Sequence, residues 1–105
     1  RSLAEIIRAF NEKHGTHFTE ADFIRYEQIT QEMVLNEEMK EMLRNNPPDV
    51  VFNAFAETFF RAVIRAFQRD HEMRNIILTD PQARNQAIRH FFNRAVRLVR
   101  EESTH

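Results

Sequence analysis

Three features of this 105-residue chain point to an all-α single domain. Glycine occurs once and proline three times, too few turn formers for the φ > 0 positions of a multi-strand β fold. Apolar residues recur every three to four positions, the helical period. The composition, 42% apolar and 30% charged, is that of a globular protein. A chain this long buries roughly 65% of its unfolded surface, enough for a core without staples. The expectation is a compact bundle of five to six helices around a long Phe-rich central helix over about 48–68, with residues 1–105 forming one domain. The chain opens on Arg1 rather than Met, which suggests a piece of something longer.

Each helix announces its ends. Ser2 and Glu5 make an S-x-x-E capping box, and Leu3, Ile6, Ile7 and Phe10 follow at helical spacing. Gly15 sits where a left-handed residue ends that helix. Thr19 reads as the next N-cap, with Glu20 and Asp22 suiting the dipole of the first turn. Phe23, Tyr26 (or Glu27), Ile29, Met33 and Val34 form the stripe behind it. Asn36 caps a third helix to about Arg44, with Met39, Met42 and Leu43 inward. Asn45-Asn46-Pro47-Pro48 is the clearest break, and Pro48 suits the first turn of a new helix. From there Val51, Phe52, Phe55, Ala56, Phe59, Phe60, Val63, Ile64 and Phe67 cover more than half of the circumference, wider than a surface helix shows. A short helix runs from about Asp70 to Leu78. Asp80-Pro81 then starts a last one to about Arg100, burying Ile88, Phe91, Phe92, Ala95, Val96 and Val99. Residues 101–105 read as a polar, frayed tail.

Composition narrows the chemistry. The absence of cysteine excludes disulfides, thiolate metal sites and a cysteine nucleophile, and fits a reducing compartment. No apolar run approaches the roughly 20 residues of a membrane span, and no signal-peptide pattern appears. One glycine cannot build a phosphate-cradling loop, and neither nucleotide-binding nor nucleophile-elbow motifs occur. His14 and His17 form H-x-x-H near Glu20, but on a loop, so two solvated histidines are the plainer reading. His71, His90 and His105 are scattered, and the carboxylates at Glu37, Glu38, Glu41, Glu101 and Glu102 lie on polar faces or ends. The sequence therefore offers no catalytic, cofactor or metal residues.

The arginines carry more weight. Residues 1–49 hold six Lys+Arg and ten Asp+Glu, whereas residues 50–105 hold nine and six, the nine all arginine. Arg61, Arg65 and Arg69 repeat at i, i+4, i+8, while Arg89 and Arg97 share a face with Arg100 close to it. Two such edges can meet DNA phosphates or an acidic partner. The plainer reading is a Glu57–Arg61 pair on a solvated edge.

The N-terminal third also carries a family likeness. Leu3-Ala4-Glu5-Ile6-Ile7, Phe10-Asn11-Glu12-Lys13, and Gly15-Thr16-His17-Phe18-Thr19 with Asp22 contain an N-x-x-x-G-T-x-F-T turn between two helices. Glu27-Gln28-Ile29 continues the pattern, and Asn36-Glu37-Glu38-Met39, Asn45-Asn46 and Phe52/Phe55 fit in order. The chain resembles the C-terminal helical region of the R (motor and cleavage) subunit of type I restriction enzymes, most specifically over residues 3–30. Its arginine-rich second half departs from that family's more acidic surface. The resemblance implies a prokaryotic, cytoplasmic parent that translocates and cleaves duplex DNA with ATP and Mg²⁺ bound in other domains. It implies a non-catalytic role for this region: docking onto the methyltransferase core, with the M subunit as partner. The other reading is a helical DNA-contacting module.

Overall fold

A computed structural model describes residues 2–103, which form six helices and, within that range, no strand. In order they are α1 (Leu3–His14), α2 (Glu20–Val34), α3 (Glu37–Asn45), α4 (Pro48–Ala66), α5 (His71–Thr79) and α6 (Pro81–Ser103). The all-α bundle is as the sequence predicts. Every boundary has a local cause. At Ser2 only half of the expected box forms: the hydroxyl accepts from the Glu5 N–H at 3.2 Å. The reciprocal box sits instead at α2, where Thr19 and Asp22 each accept the other's backbone N–H. Gly15 ends α1 with φ 64°. Asn36 and Asp70 cap α3 and α5 through Met39 N–H and Met73 N–H.

Two helices end differently from expectation. The central helix stops at Ala66, short of Gln68. There the Arg65 and Phe67 carbonyls accept from the N–H groups of Gln68 and Asp70, which tightens the chain into a turn and frees Asp70 to cap α5. The last helix runs past Arg100 to Ser103, so the frayed tail does not begin at residue 101. Thr104 and His105 lie outside the described residues.

The core forms where α4 and α6 cross with α2 between their flanks. Val51, Phe59, Val63, Phe67, Phe91, Phe92, Ala95 and Val99 are all buried. Phe92 packs edge-on against Phe52 and Phe59, at 5.1 and 5.4 Å between ring centres. Phe60 meets Arg84 while Phe52 meets Arg89, so α4 and α6 run antiparallel where they touch. On α2 the buried line is Tyr26, Thr30 and Val34, spaced i, i+4, i+8, with Gln31 beside it. Met33, expected inside, is exposed, because α4 and α6 together cover the Thr30 side of the helix. The Thr30 hydroxyl is satisfied internally by the Tyr26 carbonyl at 2.8 Å. Val96 is only half-buried, and Ala83 joins the interior of α6.

Helix α1 is the least enclosed element. Of its apolar stripe only Ile7 is buried; Leu3, Ile6 and Phe10 are half-buried. What fixes it is its C-terminal end. Asn11 donates to the Phe18 carbonyl at 2.9 Å and accepts from Thr16 Oγ1 and Phe18 N–H. Lys13 Nζ and His14 Nε2 both approach Asp80 Oδ2, at 3.3 and 3.7 Å. Asp80 is at once the end of α5 and the cap of α6, accepting from Gln82 N–H and Ala83 N–H.

Candidate functional site

The six arginines do not converge on one surface; they fall into three settings. Arg61 is held by Glu57 at 2.7 Å on the open side of α4, where both side chains are exposed. Arg65 and Arg69 are exposed on the same helix edge and its following turn, without an ion pair among the described residues. The Arg89 guanidinium carbon lies over the Phe52 ring, 3.8 Å from its centre, with Asp49 at 3.9 Å. Arg97 and Arg100 are exposed on the last turns of α6, again unpaired among the described residues. Arg97 alone of these two faces a cavity.

That cavity lies between α1 and α6 beside another. The first, of about 900 Å³, is lined by Ile6, Phe10, Phe23, Ala83, Ala87 and Phe91, with Lys13 and Arg89 at its polar edge. The second, of about 890 Å³, is more polar and holds Glu27, Gln31, Arg94 and Arg97. Ile6, His90 and Asn93 line both, so they are two lobes of one groove beneath α1. The half-covered stripe of α1 is therefore groove wall rather than core.

Three polar arrangements at this groove are invisible in one dimension. Arg94 Nε donates to Glu27 Oε1 at 2.8 Å and ties α6 to α2, with both side chains largely covered. Removing the arginine alone leaves a carboxylate short of its partner. Gln31 Nε2 donates to the Phe91 carbonyl at 3.0 Å, while its Oε1 is buried without a partner. The His90 imidazole is held below its usual range, mainly by burial; Arg97 and Arg94 push the same way and Glu27 opposes them. It is thus the neutral ring that the fold accepts. The spacing of Glu27 and Arg94, 67 positions apart, carries no sequence signal that could have paired them.

The histidines expected to be solvated split. His17 is exposed, but His14 is mostly covered, its ring tilted against Phe10 at 4.5 Å between centres and turned to Asp80. The contact follows from i, i+4 spacing on α1. No group of three or more His, Cys, Asp or Glu suited to a metal occurs among the described residues. No helix there is long and apolar enough to cross a membrane.

No family model matches the chain, and neither a curated protein nor a solved structure matches it. The N-x-x-x-G-T-x-F-T segment nonetheless has a physical explanation. Asn11 stitches Thr16 and Phe18, Gly15 supplies the left-handed turn, Phe18 enters the core and Thr19 caps α2. Its residues build a corner between two helices.

Proposed function

We propose that this chain is a non-catalytic helical assembly domain, one that docks the R subunit of a type I restriction enzyme onto its methyltransferase core. The observation that supports it most is the groove beneath α1, which leaves Ile6 and Phe10 half-covered beside an apolar floor. An open apolar recess on a helical bundle is what a docking partner covers. The likeness over residues 3–30 favours the same parent, whose ATP and Mg²⁺ belong to its motor and nuclease domains. The M subunit is the proposed partner and the prokaryotic cytoplasm the proposed setting.

A second reading has its own observation. Arg65, Arg69, Arg97 and Arg100 are exposed and unpaired among the described residues, and so are free to meet phosphates. Titration of the chain against the methyltransferase core, with and without duplex DNA at two salt concentrations, separates the two. The docking reading expects saturable binding without DNA and only a shallow loss with salt. Binding that needs DNA and collapses as salt rises, with a steep log K against log[salt] slope, transfers the function to the arginines. Absence of binding in both arms rejects both readings.

A further inference from the structure

The groove has a lopsided charge. Its two lobes are lined by Lys13, Arg89, Arg94 and Arg97 against one carboxylate, Glu27, which Arg94 already holds. Asp80 and Asp49 reach Lys13 and Arg89 from outside the lining, at 3.3 and 3.9 Å, and both cations remain half exposed. Exposed pairs of this kind are weak and exchange partners readily. Arg97 has no carboxylate among the described residues. The floor between the cations is apolar, formed by Ile6, Phe10, Ala83, Ala87 and Phe91. Along α6 the lining extends from Gln82 to Leu98. At the helical rise that is about 24 Å, between four and five turns.

The apolar floor on α6, Ala83 to Phe91, takes up about 12 Å of that length and the more polar lobe with Arg94 and Arg97 the rest, so the groove fits an elongated ligand with an apolar stripe and charged flanks. We infer that the groove docks an acidic amphipathic helix, about four turns long, with its apolar stripe seated between α1 and α6. Its flanking Asp and Glu meet Arg97 near one end, Arg89 midway and Lys13, beside Gln82, at the other end. Helix-in-groove recognition reads apolar anchors at i, i+3, i+4 and i+7, and the rim charges select among candidate helices. The inference rests on the assembly reading only in assigning that helix to the methyltransferase core.

The test uses two synthetic peptides of about 18 residues with one Leu pattern, flanked in one by Glu and in the other by Lys. Binding to the 105-residue chain is followed by fluorescence anisotropy, and the site by backbone amide shifts. The Glu peptide is expected to bind, with shifts along residues 82–98, and the Lys peptide to bind about tenfold more weakly. R97E, at an exposed position that the fold does not need, should weaken the Glu peptide about threefold and strengthen the Lys peptide. Ala87→Glu should weaken the Glu peptide by obstructing the floor. Equal affinity for both peptides overturns the inference, as does no binding of the Glu peptide at about 1 mM. So do shifts confined to other residues, or oleate filling the groove when the Glu peptide does not. Titrating the methyltransferase core against wild type and R97E separates the two ideas. Core binding indifferent to R97E and Ala87→Glu keeps the docking reading and rejects the groove. Charge-selective peptide binding without core binding does the reverse.

Discussion

Single side chains join helices that are distant in sequence. The Tyr26 hydroxyl donates to Asp70 Oδ2 and so links α2 to the cap of α5. Burial, and then this bond, raise the Tyr26 pKa, so the phenol stays protonated. Tyr26→Phe keeps the ring packed on Phe67 and removes only the hydroxyl. We expect a loss of about 1.5–3 kcal/mol, since the acceptor is charged, read from the urea midpoint at constant m-value. His90 gives the pH counterpart. Its folded pKa lies below the ordinary 6.5, so the unfolded chain binds its proton first. Stability should be full above about pH 6.5 and fall as pH drops through that value towards the lower folded pKa. His90→Gln should flatten the decline between about pH 7 and pH 5. An unchanged slope would place the decline on other groups. Asp22, Asp80 and Glu41, all held below the usual carboxylate range, titrate at lower pH. For Asp80 the cause is first the Ala83 N–H and then Lys13; for Asp22 it is the Thr19 backbone N–H.

At the scale of the element, capping is where sequence and structure agree most closely. Thr19, Asn36 and Asp80 each accept the N–H three residues on, as their positions before apolar periodic segments predict, whereas Asp70, read as the first residue of its helix, is its cap instead. Gly15 is the corresponding C-terminal signal. A Cβ there would meet nothing within 4 Å, so any penalty for a side chain is set by the backbone at φ 64°. Gly15→Ala should cost about 1–2 kcal/mol and Gly15→Asn less, because asparagine tolerates the left-handed region. Equal midpoints for the two variants would show that the turn relaxes to another conformation. Where the elements depart from expectation, competition between neighbours is the reason. Helix α4 yields its last turn so that Asp70 can serve both Tyr26 and Met73. The S-x-x-E pattern at Ser2 gives one bond of two, while T-x-x-D at Thr19 closes fully.

Across the whole molecule the distribution of packing separates a firm centre from an open margin. Phe59 is fully buried between α4 and α6 against Phe92. Phe59→Ala should cost about 3–5 kcal/mol, against a total stability of about 5–15 kcal/mol for a domain of this kind. The exposed Arg65→Ala should stay within about 0.5 kcal/mol of wild type in the same thermal and urea melts. A small effect at Phe59 would mean that the α4–α6 contact is not the centre of stability. The margin is α1, held at its C-terminal end by Asn11 and Asp80 and standing over the groove elsewhere. A protein organised this way can present a recess without loosening its core.

The helix count, the caps, the Pro48 start and the Phe-rich α4–α6 interior were readable from the chain because each depends on residues within one or two turns. The i, i+4 pair of Glu57 and Arg61 was readable for the same reason. The groove was not. Leu3, Ile6 and Phe10 have the spacing of buried residues, and only the placement of α1 against α6 leaves them half-covered. Likewise Arg89 and Arg97 look alike in one dimension, yet Arg89 lies over Phe52 at the edge of one lobe while Arg97 lines the other without an aromatic partner among the described residues. Local chemistry specifies where helices begin, end and turn an apolar face. Which part of that face is covered depends on how helices far apart in the chain pack, a many-body outcome that no single stretch of residues encodes.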